Sequence, residues 1–569
     1  MKCSVSKISM KFIKSWKWEY IVPLLISLAL ILSCIIISPK KYYWNDELYS
    51  YYFLADQSFN HMLVAFNDKI NNTPILYFLL GWIWARFFGA GELSLRLFSC
   101  LGFCTACIVT WITLRRTYNF LPSTLGILTV FCTSSIILNQ NAEARMYGLF
   151  LAVCSLGLLQ FDTLNRSENE SRWDLLCNTC IHAAIVNTHL FGIFYSAAIF
   201  FTQLVWNAYR KIFKTRVYLS IVLGCLSVVF YIPAFLIQID AGKPRTWIPI
   251  PNLNDLTRLM DLSSSSFFQV RVLSWLMLIA SILFLFNYRH KNSQLEHYSF
   301  QIHQTERKNL ETPLLLFALS FLLVPIFVWI GSRTIKPIFI ERYLVPSCLS
   351  WIILVTFASV RLISEPQIKM NSTTFRKGNI ISILASLGSF ILCTILITYL
   401  LFQPIKFARD YSKQEFPGIN THEYGYKDLP IVVQFGGRFI QTFHYSPERY
   451  RYFFILDWEA AVDKNSGLFP PQEYKHLDAL KRVYPERFKN NIIQNDDFLQ
   501  KYHRFLVLVQ QDYEEKCPLQ VKGLDFVESW KNIQCPQWLE KRILSNPTYQ
   551  VKPIFKKDWE TVLLVEKVR

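Results

Sequence analysis

Long apolar runs recur from residue 20 to residue 402, and they limit the possible folds more than any other feature of this chain. A helix that crosses a bilayer needs roughly 20 consecutive apolar residues. Runs of about this length occupy residues 20–38, 94–114, 121–139, 147–161, 174–188, 190–209, 217–238, 265–287, 313–331, 343–363 and 379–402. The sequence therefore predicts a polytopic α-helical membrane protein with about 11 transmembrane helices within residues 1–402. A composition that is 52% hydrophobic and 18% charged fits the same interpretation.

Basic residues in the loops between these runs predict the orientation of the chain. Cytoplasmic loops are enriched in Lys and Arg, and the basic clusters lie at residues 115–116, 210–216, 289–308 and 361–377. All four fall on the same side as the N-terminus if Thr73–Gly89 forms an interfacial helix instead of a span. The N-terminus is then cytoplasmic, and the first outer loop is 39–93. No small-residue cleavage site follows the first apolar run, so we expect a retained signal-anchor.

The last third of the chain is its polar part. Strand-like runs alternate there with helix-like stretches such as Gln472–Tyr484 and Pro536–Ser545; the strand-like runs are Leu429–Phe435, Tyr450–Asp457, Arg504–Gln510 and Thr561–Val568. Such alternation favours a parallel sheet with helices on its faces. We therefore predict that residues 403–569 form a soluble extracytoplasmic α/β domain. Cys517 and Cys535 fall in it, and the sequence leaves open whether they form a disulfide.

The net charge of +18 does not indicate a nucleic-acid-binding protein. Much of the excess lies in the short loops, where it sets topology. No zinc-ligand spacing, phosphate-binding loop or dinucleotide fingerprint accompanies it. The glycine pair at residues 436–437 lacks the phosphate-loop spacing, and we interpret it as a turn.

Ionisable and polar residues collect at the helix ends on the predicted outer face. They are Asp46 and Glu47 in the first loop, Glu143, Arg145 and Tyr147 in the second, His189 in a later turn, and Lys336, Glu341, Arg342 and Tyr343 before the tenth run. Ionisable groups near membrane depth are costly, so they usually face a cavity and serve a function. Each also has an ordinary explanation: a local ion pair, a polar helix cap or a snorkelling interface residue.

Carboxylates and cations together are suited to transfer from a lipid phosphate. A carboxylate can take the proton from an acceptor hydroxyl, and an arginine at a helix end can hold the departing phosphate. A phosphate leaves as a stabilised anion, so a second carboxylic acid of the kind that glycosidases use is unnecessary.

An ordered series of motifs is similar to the GT-C glycosyltransferases. The series is W-x-D-E after the first run, then T-P-x-L-Y-F, L-S-L-R-L, A-E-A-R-M-Y-G-L, T-H-L-F-G and E-R-Y-L-V-P. Within that fold, it resembles the branch of dolichyl-phosphate-mannose–protein mannosyltransferases and lipid A aminoarabinose transferases. The resemblance covers residues 20 to about 402. It implies a GT-C fold and favours a multi-pass protein of a bacterial inner membrane.

The resemblance also implies roles for particular residues. Asp46 matches the catalytic aspartate, with Glu47 as its neighbour, and Glu143 stands where the family has a second acidic residue, here Glu instead of Asp. The phosphate-binding residues would be Arg342, Tyr343 and Lys336, and the pocket would be lined by Arg145, Tyr147 and His189. A basic phosphate contact is missing at Thr73-Pro74, where some members have His-Pro-Pro or Lys-Pro. No D-x-D occurs in the first loop, so we expect neither a metal nor another cofactor.

We therefore expect an inverting membrane glycosyltransferase that uses a polyprenyl-phosphate-linked sugar and an extracytoplasmic acceptor, which is a protein, a lipid or a polysaccharide. Two other classes remain open. A multi-pass transporter or lipid flippase predicts charges midway through the spans, and Arg271 is the exception that would fit it. A non-catalytic membrane scaffold makes no demand on Asp46.

Overall fold

The computed structural model describes residues 18–242, 248–260, 301–363, 378–462, 472–509, 538–557 and 560–568. The predicted span at 265–287, with Arg271, and the two tail cysteines Cys517 and Cys535 lie outside these ranges. The α-helices before the tail are Ile21–Ile37, Asn45–Leu54, Phe59–Phe66, Leu76–Phe88, Glu92–Arg115, Phe120–Thr133, Ser135–Asn141, Tyr147–Arg166, Arg172–Thr188, Gly192–Arg210, Thr215–Leu226, Ile232–Ile239, Leu253–Met260, Gln301–Thr334, Cys348–Ile363 and Gly378–Asp410. A 3-10 segment, Glu341–Ser347, leads into Cys348–Ile363.

Six helices in the described ranges are long and apolar enough to cross a membrane, or seven if one bent pair counts as a single span. The bent pair is Phe120–Thr133 and Ser135–Asn141, which meet at 60°. Its break at Ser134 turns the chain toward the second predicted outer loop, and the Ser134 hydroxyl accepts the Ile137 N–H at 3.5 Å. The helices agree with the polytopic prediction, and the count of about 11 spans stays a prediction.

A close helix crossing fixes the middle of the helical region. A Cβ added at Gly148 would lie 2.0 Å from the carbonyl oxygen of Ser99, and one added at Gly102 would lie 2.3 Å from the backbone of Gly148. Only glycine permits this approach of two backbones. The crossing holds the helix Tyr147–Arg166 against the helix Glu92–Arg115. Tyr147 and Arg96 therefore lie on adjacent helices, each close to the crossing point.

The helix Leu76–Phe88 accounts for the ambiguous segment at Thr73–Gly89. Its 13 residues span about 20 Å at 1.5 Å per residue, short of the roughly 30 Å of a bilayer core. The Trp82 indole N–H donates to the Asp56 carbonyl at 2.8 Å, which ties the helix to the first loop. This length fits the interfacial interpretation.

The tail contains a six-stranded sheet. Its strands are β1 Ile431–Val433, β2 Tyr452–Leu456, β3 Ile492–Gln494, β4 Arg504–Val509, β5 Tyr549–Lys557 and β6 Glu560–Lys567, in the spatial order β3-β2-β1-β4-β6-β5. Strands β1 to β4 are parallel, whereas β6 and β5 are antiparallel. Three of the four predicted strand-like runs thus lie in the parallel part, while the fourth, Thr561–Val568, corresponds to the antiparallel β6, and the predicted runs did not include β3 or β5. Helices Gly436–Tyr445, Trp458–Val462, Gln472–Val483, Pro485–Phe488 and Asn495–Lys501 accompany it. The glycine pair at 436–437 begins the first of these helices, so its interpretation as a turn was wrong.

The tail packs directly on the first loop. Lys40 donates from its ammonium to the carbonyls of Ala408, Arg409 and Tyr411 at 2.8–3.1 Å, closing the C-terminal end of the helix Gly378–Asp410. Orphan carbonyls and the negative helix end both favour such a cation. The predicted domain boundary at 402/403 therefore falls within a helix that runs on to Asp410.

Candidate active site

Asp46 lies in the first turn of the helix Asn45–Leu54, where an acidic residue is favoured by the helix dipole. Its Oδ2 is 3.2 Å from the Arg342 Nη2 and 3.7 Å from the Arg145 Nη2. The Asp46 side chain is 26% exposed, against 19% for Arg342 and 6% for Arg145. Asp46 is thus the most accessible member of a cluster in which two guanidinium groups face one carboxylate.

Arg145 fixes the position of this helix as well as its charge. Its Nη1 donates to the Asp46 carbonyl at 2.9 Å and to the Ser50 hydroxyl at 3.0 Å. Arg145 comes from the short loop that precedes the helix Tyr147–Arg166. The side chain therefore joins the first and second predicted outer loops.

Arg342 reaches the cluster from the 3-10 segment Glu341–Ser347. Its guanidinium lies over the Trp44 ring at 4.8 Å and over the Tyr343 ring at 5.8 Å. A planar guanidinium stacks on aromatic faces in this way while its edges stay free for oxygen ligands. The Asp46–Arg342 contact joins residues 296 positions apart in the sequence.

Glu47, by contrast, is completely buried. Its carboxylate accepts the Arg96 Nε–H at 3.2 Å, the Ala144 N–H at 2.8 Å and the Trp44 N–H at 3.3 Å. The last contact is the reciprocal half of a capping box. Arg96 also donates to the Lys41 carbonyl at 2.8 Å. The structure places Glu47 in a buried network that anchors the loop beside Asp46.

Glu143 forms an ion pair with Lys41, with 2.8 Å between Oε1 and Nζ. Burial raises the pKa of the Glu143 carboxyl, although the Lys41 charge opposes that shift. Lys41 also lies 4.0 Å from Glu47. The two acidic residues predicted beside Asp46 are therefore linked through one lysine.

Three rings form a wall next to the two arginines. The His189 ring lies 4.8 Å from Tyr343 and 6.3 Å from Tyr147, between centroids. Burial lowers the pKa of His189 to about 3, and the charges of Arg145 and Arg342 act in the same direction. Its Nδ1 accepts the Phe191 N–H at 3.1 Å, so the neutral ring carries its proton on Nε2 and can donate there.

Lys336 stands apart from these residues. Its side chain is exposed, and its backbone N–H bonds to the Gly331 carbonyl at 3.3 Å. The described residues give its ammonium no contact with Asp46 or Arg342. Glu341, next to Arg342, lies 3.7 Å from Arg258.

Several buried polar atoms around Asp46 have no hydrogen-bond partner among the described residues. They are Trp44 Nε1, Glu143 Oε2, Arg145 Nε and the Tyr147 hydroxyl. Buried polar groups normally have partners, so a group of exceptions in one place is typical of a polar ligand site. The described residues contain no cluster of three or more His, Cys, Asp or Glu side chains that could hold a metal ion.

Sequence reasoning missed several residues of this site. Trp44 is the first residue of the W-x-D-E motif and Arg96 belongs to L-S-L-R-L, so the motifs included both without indicating their contacts, whereas Lys41 lies just before the first motif. The tail also contributes a carboxyl group, Glu473, which accepts the Gly436 N–H at 2.9 Å. Burial raises the pKa of Glu473 to about 8, and the nearby Asp46 charge adds to the rise. No motif indicated Glu473.

Comparisons with known proteins agree with this architecture. No protein family and no curated protein matches the chain in sequence. Two solved structures match over 95% of this chain and 97% of their own, at 13% identity: ArnT from Cupriavidus metallidurans bound to undecaprenyl phosphate, with a TM-score of 0.50, and the same protein in the apo state, with a TM-score of 0.53. The fold predicted from the motif series is confirmed, because over nearly its whole length this chain has the fold of ArnT, a GT-C lipid A aminoarabinose transferase.

Proposed function

We propose that this protein is an integral-membrane glycosyltransferase that moves a sugar from a polyprenyl-phosphate donor to an extracytoplasmic acceptor with inversion. The observation that carries the proposal is the contact of Asp46 with both Arg342 and Arg145, at 3.2 and 3.7 Å. The shared fold supports it, since one of the matching structures has undecaprenyl phosphate bound. We further propose that the protein lies in a bacterial inner membrane, with the N-terminus inside and the tail outside.

The two guanidinium groups would bind the donor phosphate. Together they exceed the charge of Asp46 by one positive unit, in surroundings where burial strengthens electrostatic attraction. The Arg342 guanidinium lies over the Trp44 ring at 4.8 Å, so its position is set before the donor arrives. A phosphate that takes over these contacts frees the Asp46 carboxylate for a proton. The His189 Nε2–H and the Tyr147 hydroxyl supply further donors for the sugar or phosphate oxygens.

The transfer is then one displacement at the anomeric carbon. The acceptor oxygen bonds to this carbon while the bond from carbon to phosphate oxygen breaks. The acceptor proton passes to Asp46, and the electron pair leaves with the phosphate, which the arginines stabilise. Because attack and departure occur on opposite faces, the configuration inverts.

The two other predicted catalytic acids would serve by positioning. Glu47 has no exposed surface, and its carboxylate is already occupied by Arg96 and backbone N–H groups. Glu143 is paired with Lys41. In this proposal both hold the loop that presents Asp46, and neither takes the acceptor proton.

Asp46→Asn tests the function directly. Removing a general base costs roughly 10²–10⁴-fold in rate, so we expect transfer to a membrane extract to fall by at least about 100-fold while expression and membrane insertion persist. The matched control is Asp68→Asn. Asp68 lies in the same loop as Asp46 and forms an ion pair with the half-exposed Arg482 of the tail, so this substitution should preserve activity. Full activity of Asp46→Asn would refute the assignment of Asp46 as the general base. If the protein moved a lipid across the membrane without any transfer reaction, the transporter would be favoured. If it only supported a partner protein, without any transfer reaction, the scaffold would be favoured.

A further inference from the structure

A cavity of about 1010 Å³ lies between the tail and the residues just before Asp46. Trp44 and Asn45 form one wall, and segments of the tail around residues 414–424, 437–441 and 555–562 form the others. The volume is at the upper end of the roughly 300–1,000 Å³ typical of small-molecule sites.

Trp44 connects this cavity to the reaction centre. Its ring lines the cavity and also lies 4.8 Å from the Arg342 guanidinium, which contacts Asp46. Its indole N–H is buried without a partner among the described residues. A molecule in the cavity would therefore contact the same tryptophan that packs against the proposed donor phosphate site.

The tail side of the cavity is held in register with the same loop. Gln441 donates to the Tyr43 carbonyl at 3.0 Å, and Gln414 accepts the Tyr42 N–H at 2.9 Å. Both glutamines line the cavity. A ligand that contacts the tail is thus positioned relative to Asp46 through bonds to the two residues before Trp44.

The chemistry of the walls selects the ligand class. Aromatic rings such as Trp44 and Phe416 offer flat apolar faces, and side-chain amides and carboxylates offer paired donors and acceptors, which together match the faces and hydroxyls of sugar rings. Arg438 supplies the one Lys or Arg among the described lining residues, and it lies 2.7 Å from Glu560. Glu415 and Glu423 add further negative charge, so a phosphate group would meet repulsion.

We propose that this cavity binds the acceptor, and that the acceptor is a saccharide with free hydroxyls, neutral or amino-substituted, and without phosphate. The role as acceptor rests on the proposed transferase function; the binding of a saccharide does not.

Saturation-transfer NMR on the purified full-length protein tests binding without requiring turnover. The probes are triacetylchitotriose, its de-N-acetylated form, N-acetylglucosamine 6-phosphate and a Ser/Thr-rich peptide. We expect the two trisaccharides to bind at least about tenfold more tightly than the sugar phosphate or the peptide. Equal or tighter binding of the phosphate or the peptide would overturn the proposal.

Variants locate the binding. Glu423 is exposed at the cavity wall, so Glu423→Trp should fill the cavity and weaken trisaccharide binding about tenfold, whereas Lys427→Trp, four residues along and outside the lining, should leave it unchanged. The double variant Glu415→Gln/Glu423→Gln should improve binding of the sugar phosphate. If Glu423→Trp left trisaccharide binding unchanged, the cavity would be refuted as the binding site.

The Asp46→Asn variant separates this inference from the proposed function. We expect it to bind the trisaccharide as the wild type does, while its transfer rate falls by at least about 100-fold. Unchanged transfer by Asp46→Asn would overturn the proposed transferase mechanism, with Asp46 as its base, and would not affect the proposal that the cavity binds a saccharide. Loss of trisaccharide binding in the folded Asp46→Asn protein would show that the cavity does not bind on its own, which overturns the inference.

Discussion

Glu47→Gln distinguishes a positioning role from a chemical one. The substitution keeps the size of a side chain that is completely buried. It removes the charge that faces Arg96 at 3.2 Å and Lys41 at 4.0 Å, and it places an amide N–H₂ where the carboxylate accepted N–H groups. We expect a loss of stability and a loss of activity together.

The magnitude follows from the contacts. Removing one partner of a buried ion pair costs roughly 3–5 kcal/mol, because the other charge stays buried without compensation. Arg96 keeps its bonds to the carbonyls of Ser38 and Lys41, which limits the loss to the lower part of that range. A displacement of the Asp46 helix by about 1 Å would lower the transfer rate by about 100-fold.

The rise in reaction with a thiol-reactive fluorescent dye, above the baseline of the exposed Cys177 and Cys180, measures the unfolding. Cys34, Cys100, Cys104 and Cys107 are buried among the packed helices and react only when these separate. A loss of about 3 kcal/mol in the free energy of unfolding should lower the melting temperature by about 2–3 °C. Glu19→Gln is the matched control, since it alters a partly buried ion pair with Arg115 at the opposite end of the Arg96 helix and should cost less than Glu47→Gln, whose pair with Arg96 is completely buried.

Two results would refute this reasoning. An unchanged melting temperature with activity as low as in Asp46→Asn would make Glu47 a chemical participant. Failure of the double variant Glu47→Gln/Arg96→Met to recover stability over Glu47→Gln would show that the buried charge on Arg96 is not the cause, because replacing both members of a buried pair is often neutral.

Two further predictions concern the arginine cluster and the tail. Arg342→Lys keeps the charge but loses the planar contact with Trp44, so KM for the lipid donor should rise about tenfold, and more in Arg342→Ala; an unchanged KM would exclude a donor contact. Glu473 has its pKa raised from 4.5 to about 8, so the folded state holds a proton that the unfolded state releases, and stability should fall by at most about 4–5 kcal/mol as the pH rises through this window. In Glu473→Gln the melting temperature should fall less steeply with rising pH. A pH profile of the melting temperature identical to that of the wild type would contradict the assignment of this raised pKa to Glu473.

The sequence predicts the parts of this site that depend on order and periodicity. Apolar run length predicted the helices on either side of Asp46 and Arg342, and the motif series predicted that these two residues share a pocket. Both follow from the chain itself, because membrane thickness fixes helix length and short turns return helix ends to one face.

The ion-pair partners of the individual charged residues, and the strands β3 and β5 at the edges of the sheet, could not be predicted in the same way. Glu47 and Asp46 are adjacent acids in one motif, and only tertiary packing decides that Glu47 is buried against Arg96 while Asp46 stays accessible. Lys336 is near Arg342 in sequence, but it is exposed and its ammonium contacts neither Asp46 nor Arg342 among the described residues. Strand β5 contains Pro553 and several lysines, which conceal its alternation, and β3 has three residues, too few for a pattern.

The ammonium of Lys40 joins the beginning of the helical region to its end, with three carbonyls near residue 410 as its partners. During translation these carbonyls emerge some 370 residues after the lysine. The first loop therefore lacks this anchor until nearly three quarters of the polypeptide has been made. A product truncated before residue 408 would lack these carbonyls, and the loop that carries Asp46 would then not be tied to the end of the helical region.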